Sequence, residues 1–296
     1  MSRRTRHAAI VAWLVAGAVT IGSAQTTAGT GKGFIWKVER EGRIGWLVGS
    51  LHLLTSDAYP LPDAMDKAFL RADTLVEETD PDELSSPGAA AQLISKAFYP
   101  AGQTLESQLS APTYRKIAER ATKAGLPIDK LQQMKPWMIA ITLVAVEMQR
   151  GGFDPNLGLD KHFRDKAPRF GKKFRTLEGA IEQIEYLERL SPQLQDALVN
   201  ETLDGADEEV AQLRRIAAAW RAGDAAAVER ILVDNMKDSP AVYQSLIVER
   251  NQRWIPKIDE CLATARCMVV VGAAHLVGKD GLIELMRRHG YVVEQQ

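Results

Sequence analysis

Two apolar runs that each end in Gly-x-x-His constrain the fold of this chain more than any other feature. They occupy residues 46–54 and 268–276, and their histidines are His52 and His275. Apolar runs of this length are typical of buried strands, and the glycine lets the chain turn sharply where a strand ends. Ligands in α/β folds collect beyond the carboxyl ends of parallel strands. We therefore predict that both histidines meet in one pocket.

The rest of the pattern alternates strands with helices. Residues 34–38 and 45–48 predict a hairpin whose turn uses a glycine with positive φ. Further strand-like runs lie at residues 73–80, 173–178 and 291–293. Helical periodicity dominates residues 87–167. This order predicts an α/β fold with a mostly parallel central sheet flanked by helices, in one domain over residues 25–296 that carries a large helical insertion at about 84–168.

The first 24 residues are typical of an export signal. Three arginines within the first six residues precede the apolar residues 8–21, and Gly22-Ser23-Ala24 offers small residues to signal peptidase. An uncleaved anchor is the alternative, although the apolar run is shorter than the roughly 20 residues that a membrane span needs. We predict cleavage after Ala24 and a periplasmic or secreted protein with no stable membrane insertion.

The charge balance argues against nucleic-acid binding. The chain has 37 basic and 38 acidic residues, so removal of the three signal arginines leaves 34 basic residues against 38 acidic ones. Proteins that bind nucleic acid or anionic lipid usually carry an excess of positive charge. The predicted partner is therefore a peptide or small-molecule substrate.

The two cysteines, Cys261 and Cys267, are separated by five residues just before the second apolar run. Because export leads to an oxidising compartment, a disulfide is the favoured interpretation. Two metal-binding thiolates are the alternative, but the spacing does not resemble that of a zinc site.

Carboxylates end two of the strand-like runs. Glu77 and Glu78 close the run at 73–80 on opposite faces, and we choose Glu78 because it lies nearer the carboxyl end. A slip of one residue in the strand would exchange the two. Glu178 closes the run at 173–178, where it can either join the site or cap the next helix.

Three polar residues on predicted helices are further candidates. Arg250 can bind a substrate carboxylate, hold a site glutamate in place, or form an ordinary ion pair. Asp160 and His162 open another helix. His162 is either a third metal ligand or a histidine at the surface or behind the site.

Two histidines and a carboxylate from three strand ends predict a site for one divalent metal ion such as Zn, Mn or Co, held by His52, His275 and Glu78. A metal lowers the pKa of bound water and polarises a carbonyl oxygen, which suits hydrolysis of amides or esters. Serine catalysis fits less well, because Ser50 lacks the Gly-x-Ser-x-Gly elbow. The alternative is that each Gly-x-x-His only forms a turn with a hydrogen-bonded histidine.

The paired motifs, taken with several others in the same order, resemble the TraB/GumN family, also written TraB/PrgY/GumN. The other matching segments are Leu75-Val76-Glu77-Glu78, Lys135-Pro136-Trp137, Gly158-Leu159-Asp160, Leu177-Glu178, Ala219-Trp220-Arg221-Ala222-Gly223-Asp224 and Glu249-Arg250-Asn251. The resemblance covers about residues 34–293. No single motif is specific, but the ordered set is.

The resemblance implies an α/β domain shared with the Tiki-type proteases, which cleave the N-terminal part of secreted Wnt signals in a metal-dependent way. Erythromycin esterases and a haem-binding lipoprotein are implied as more distant relatives by fold. It further implies that His52, His275 and Glu78 are the active-site residues.

The leading hypothesis is an exported metal-dependent hydrolase, with a peptide as the favoured substrate. In it, His52, His275 and Glu78 hold the metal or, in the case of Glu78, activate its water. Asp160 and Glu178, together with Arg250, support these residues or contact substrate. One alternative is a non-catalytic periplasmic binding module for haem, metal or a small ligand. Another is a regulatory partner of envelope proteins that acts through the helical insertion.

Overall fold

The structure, a computed structural model, describes residues 32–204, 206–234, 236 and 240–296. The predicted signal segment lies outside these residues. The described chain divides into two compact units. One comprises Asp80–Gly152 and Gly179–Leu213, and the other comprises the described residues up to Thr79, Phe153–Glu178 and Arg214–Gln296. The single domain with an insertion at about 84–168 stays a prediction.

The second unit contains a six-stranded mixed sheet. Its strands are β1 (Ile35–Arg40), β2 (Arg43–Ser50), β3 (Thr74–Glu77), β4 (Lys173–Thr176), β5 (Cys267–Gly272) and β6 (Val292–Gln295). The order across the sheet is β4-β3-β5-β2-β1-β6. The pairings β4–β3, β3–β5 and β5–β2 are parallel, whereas β1 pairs antiparallel with both β2 and β6. The α/β class is confirmed, and the likeness to the Tiki and erythromycin-esterase folds stays a prediction.

The helices surround and follow these strands in chain order. They are α1 (Asp63–Arg71), α2 (Pro87–Ala97), α3 (Leu105–Gln108), α4 (Ala111–Lys123), α5 (Ile128–Leu131), α6 (Pro136–Arg150), α7 (Leu159–Lys166), α8 (Ala180–Glu188), α9 (Pro192–Asp204), α10 (Ala206–Arg221), α11 (Ala225–Val228), α12 (Pro240–Tyr243), α13 (Glu249–Thr264), α14 (Ala273–Leu276) and α15 (Leu282–Arg288). Wider π-helical turns at Glu229–Val233 and Gln244–Val248 follow α11 and α12. Within the described ranges, no helix combines the length and the apolar character that a bilayer span requires.

The β1–β2 hairpin sets where the first Gly-x-x-His begins. Its two turn residues, Glu41 and Gly42, have φ values of 53° and 78°. A tight two-residue hairpin turn of this type needs positive φ at both positions, which glycine adopts without strain. The predicted hairpin is confirmed, and its register leaves Ser50 as the last residue of β2.

The centre of the sheet is buried, as the continuous apolar runs predict. All residues of β5 are buried, and β5 lies between β3 and β2. Strands covered on both faces read as unbroken apolar runs rather than as alternating ones. The fully buried Trp220 of α10 donates its indole N–H to the carbonyl of Gly49 at 2.6 Å, which anchors the end of β2.

The sulfur atoms of Cys261 and Cys267 lie at disulfide distance, as predicted. Cys261 belongs to the last part of α13, and Cys267 is the first residue of β5. The bond therefore ties the helix that carries Arg250 to the strand that leads to His275.

Reduction of this disulfide is expected to lower the free energy of unfolding by about 2 kcal/mol, because it releases a short loop of the unfolded chain. Urea unfolding with and without reductant measures the difference. A Cys261→Ser/Cys267→Ser double variant is the control and should be insensitive to reductant. Equal stability of the oxidised and the fully reduced wild type would contradict this expectation.

Candidate active site

Four parallel strands end side by side and are each followed by a predicted site residue. In the register of the sheet, Ser50 pairs with Gly272, and Glu77 pairs with both Val270 and Thr176. The residues that follow these strand ends are His52 after β2, Glu78 after β3, Glu178 after β4 and His275 after β5. The carboxyl edge of the sheet thus brings the predicted residues into one region of the second unit.

Arg250 of α13 is the centre of this region. Its guanidinium is 4% exposed, and each of its five N–H groups has an acceptor. The Nε group donates to both oxygens of Glu178 at 3.1 and 3.2 Å. One terminal nitrogen donates to Glu78 and Glu178, both at 2.6 Å. The other donates to the Leu246 carbonyl at 3.3 Å and to Nε2 of His275 at 2.9 Å. Arg250 therefore holds two site glutamates rather than presenting these N–H groups to a ligand.

The two glutamates differ in charge preference. Burial by itself would raise the pKa of Glu78, but the positive charge of Arg250 outweighs it and lowers the pKa to about 2. The backbone N–H of Gly272 also donates to Glu78 at 2.6 Å. For Glu178, burial raises the pKa in spite of Arg250 and a bond from the Trp254 indole N–H at 3.1 Å. Glu78 is thus the firmly ionised partner of Arg250.

His275 is held in its neutral form. Because arginine can only donate, the Nε2 atom that faces Arg250 must be the acceptor. The proton is then on Nδ1, which donates to the amide oxygen of Asn251 at 2.7 Å. The amide nitrogen of Asn251 donates in turn to the His275 carbonyl at 3.1 Å. Burial, assisted by the charge of Arg250, lowers the pKa of His275 to about 3.

His52 is in the opposite electrostatic state. Its Nδ1 atom lies 3.0 Å from Oδ1 of Asp160, a residue of the first turn of α7. Burial would lower the pKa of His52, but the negative charge of Asp160 raises it overall. The pKa of Asp160 is lowered to about 2, because the attraction of His52 outweighs the effect of burial. Asp160 is therefore a carboxylate, and Nδ1 of His52 must carry the proton that lies between them.

The two histidines belong to one electrostatic cluster. The charge of His52 acts on the pKa values of both Glu78 and His275. Their accessibility differs, because the side chain of His52 is 15% exposed and that of His275 is 5% exposed. The first Gly-x-x-His thus offers a reactive nitrogen on a partly accessible ring, whereas the second builds the interior.

The predicted metal ligands do not form a ready coordination site. Nε2 of His275 receives an N–H of Arg250, and Glu78 is paired with the same cation. In the described part of the chain, no three His, Cys, Asp or Glu side chains are arranged to hold one metal ion. His52 fits better, since metal-binding histidines usually donate their other N–H to a carboxylate. A metal shared by all three residues requires Arg250 to leave His275.

Two alternatives about neighbouring residues are also decided by geometry. Glu78 lies with Arg250 and His275, whereas Glu77 pairs with Arg164 of α7 at 2.6 Å. His162 packs its ring against Tyr59 at 5.2 Å between centroids, and burial lowers its pKa to about 4. Of the two readings of His162, the structure therefore favours a packing residue behind the site.

Sequence reasoning assigned no site role to three residues of this region: Ser50, Asn251 and Trp254. Ser50 was considered only as a nucleophile, yet its hydroxyl bonds Asp160 at 2.9 Å. The signal for the other two was present, because Asn251 follows Arg250 directly and Trp254 lies one helical turn further along α13.

Lowering the pH from 6.5 to 5 is expected to destabilise the protein through His275. Its pKa falls from an ordinary 6.5 to about 3 on folding, so the unfolded chain binds more protons in this range and stability decreases with falling pH. The expected slope is up to about 1.4 kcal/mol per pH unit. His52 adds little here, because its raised folded pKa leaves it protonated in both states below pH 6.5.

Urea unfolding of wild type and His275→Gln at several pH values measures this slope. The glutamine variant should be less stable at pH 7 but show a flatter dependence. His289→Gln, which alters a histidine outside the cluster, is the matched control and should keep the wild-type slope. An equal slope in wild type and His275→Gln would refute the neutral, buried state of His275.

Comparison with known proteins gives the family context of this site. A model of the TraB/PrgY/gumN family matches residues 34–295. Two similar proteins, from Escherichia coli (strain K12) and Shigella flexneri, are both described as "Uncharacterized protein YbaP". Each is 27% identical to this chain over 241 residues, which cover 81% of this chain and 87% of the relative. No solved structure gives a significant match. The names of these relatives state no activity.

Proposed function

The chain belongs to the TraB/PrgY/gumN family, and on that premise we propose that it is an exported hydrolase in which His52 is the general base. The observation that carries the proposal is the His52–Asp160 pair at the carboxyl edge of the sheet, with a separation of 3.0 Å. Of the three predicted catalytic side chains, His52 is the most exposed, at 15% against 8% for Glu78 and 5% for His275. Water and substrate therefore reach His52 most readily.

The orientation of His52 suits removal of a proton from water. An ionised Asp160 holds the proton of the imidazole on Nδ1, so the lone pair is on Nε2. In histidine hydrolases a carboxylate in this position fixes the tautomer and stabilises the imidazolium that forms. A general base of this kind contributes roughly 10²–10⁴-fold to a rate. We infer that the bond cleaved is an amide or ester, with a peptide as the favoured substrate and a small molecule as the alternative.

The cluster around Arg250 has a supporting part in this proposal. Arg250 links Glu78, Glu178 and His275, which follow three neighbouring strands. These bonds fix the strand ends next to His52. A site that is rigid before substrate arrives loses less free energy to reorganisation during the reaction.

A metal-dependent version of the hydrolase keeps the ligands His52, His275 and Glu78 and a divalent ion such as Zn, Mn or Co. Such an ion would supply a bound water of lowered pKa. In this version Arg250 has to release Nε2 of His275, to which it donates at 2.9 Å. The contacts of the described residues favour the version that depends on His52 and Asp160 alone.

Loss of the general base is expected to remove hydrolysis without unfolding the protein. Purified protein is offered a peptide pool read by mass spectrometry and a set of p-nitrophenyl esters. On a substrate found in this way, His52→Ala and Asp160→Asn should lower kcat at least about 100-fold. The control His289→Gln should keep wild-type activity. Full activity in His52→Ala would overturn the proposal.

The pH dependence of the same reaction provides a second readout. A general base works only when it is neutral, so kcat/KM should rise with pH through the pKa of His52. Because Asp160 raises that pKa, the midpoint of the acidic limb should lie above pH 6.5. In Asp160→Asn the residual activity should show a midpoint at lower pH, since the carboxylate charge is gone.

Metal content separates the two versions of the hydrolase. The protein is exported to the periplasm with its natural signal, purified without chelator and analysed by mass spectrometry beside His52→Ala and His275→Ala. We expect less than one tenth of an equivalent of metal and activity that survives chelator. Stoichiometric metal that is lost in both variants would support the metal-dependent version instead. Tight ligand binding with no cleavage of any substrate would favour the binding module.

A further inference from the structure

Ser50 is a fully buried polar residue at the very end of β2, two residues before His52. We propose that it is the positioning residue that turns Asp160 towards His52, an inference that rests on the proposed function of His52. No hydrolytic role of its own is assigned to the hydroxyl.

The start of α7 shows why a residue on another element is needed. Its N-cap position is Gly158, which has no side chain to accept the first N–H groups of the helix. These groups instead reach the end of β2. The N–H of Leu159 donates to the Leu51 carbonyl at 3.2 Å, and the N–H of Asp160 donates to Oγ of Ser50 at 3.3 Å. Ser50 thus caps a helix that is 110 residues away in sequence.

Gly158 permits this close approach of helix and strand. A Cβ atom at residue 158 would lie 2.3 Å from the carbonyl oxygen of His52, which is well inside contact distance. Glycine is the residue that allows a backbone to come this near to another. The helix N-terminus is consequently docked directly on the segment that carries His52.

The hydroxyl of Ser50 makes a second bond in the other direction. It donates to Oδ1 of Asp160 at 2.9 Å while its oxygen accepts the N–H of the same residue. A hydroxyl can donate one hydrogen bond and accept others, so both bonds are compatible. Oδ1 also faces Nδ1 of His52 at 3.0 Å. Two donors on one oxygen hold the carboxylate in a single orientation.

Removal of the hydroxyl leaves Asp160 a competing partner. Its other oxygen, Oδ2, lies 4.0 Å from a terminal nitrogen of Arg164, one turn later on α7. Without Ser50 the carboxylate is free to rotate towards that cation, and the bond to Nδ1 of His52 weakens. Neutral His52 then populates both tautomers, and the fraction with a lone pair on Nε2 falls.

The test is the tautomer of His52, read by ¹⁵N NMR of labelled protein above the pKa of that residue. In wild type, neutral His52 should carry its proton on Nδ1. In Ser50→Ala it should become a mixture of both tautomers, and Ser50→Thr, which keeps a hydroxyl, should return towards wild type. Retention of the pure Nδ1–H form in folded Ser50→Ala would overturn the inference. So would a wild-type spectrum that shows the proton on Nε2, a result that requires no variant.

A matched control removes an equivalent cap elsewhere. Ser86 caps α2 by accepting the N–H of Ala89 at 3.3 Å. Ser86→Ala loses a comparable bond and should leave the His52 spectrum unchanged. If it alters the spectrum as much as Ser50→Ala does, general loss of stability explains the effect and the inference fails.

Kinetics on a substrate found for the hydrolase add a second criterion. Ser50→Ala should lower kcat by about 10-fold to 100-fold with little change in KM, since misplacement of a catalytic group by a fraction of an ångström has effects of this size. In an Asp160→Asn background, Ser50→Ala should have no further effect, because it acts through Asp160. Independent effects would overturn the inference while leaving His52 as the base. Inactivity of wild type on every substrate would count against the proposed function, and the NMR result would still decide the role of Ser50.

Discussion

The buried guanidinium of Arg250 is the interaction on which the rest of the site depends. A charge removed from water is costly unless it is paired and its hydrogen bonds are satisfied. Here Glu78 and Glu178 provide the negative charge, while His275 and the Leu246 carbonyl accept the remaining N–H groups. Loss of Arg250 would leave two buried carboxylates without a cation. The same contacts join α13 to residues that follow β3, β4 and β5, so the charge network and the sheet edge stabilise each other.

This network divides the two matching motifs between different tasks. His275 has a donor on one ring nitrogen and an amide acceptor on the other, and it stays neutral inside the protein. His52 faces the carboxylate of Asp160, which raises its pKa and directs its proton. A single sequence pattern therefore supports two electrostatic states, because the partner of each imidazole comes from a distant part of the chain. The first motif provides the reactive group in our proposal, and the second secures the interior beside it.

Much of the site could be predicted from the sequence. The apolar runs before His52 and His275 are strands, Glu78 and Glu178 follow two more, and all four meet at one edge, since parallel strands share their carboxyl ends. The predicted role of Arg250 was open between substrate and glutamate, and the structure gives it to the glutamates. The role of Ser50 escaped prediction, because its partner lies 110 residues away.

The sequence by itself determined the α/β class, the hairpin, the cysteine pair at disulfide distance and the family, because these depend on local periodicity, turn residues and ordered motifs. Tertiary structure alone decided which charge each polar group meets. Strand periodicity specifies on which face and at which edge a side chain lies, but not which helix will cover that edge. Arg250 of α13 and Asp160 of α7 arrive there from remote segments. Their positions set the protonation of His275 and His52, since electrostatic interactions in a buried site depend on distances of a few ångströms.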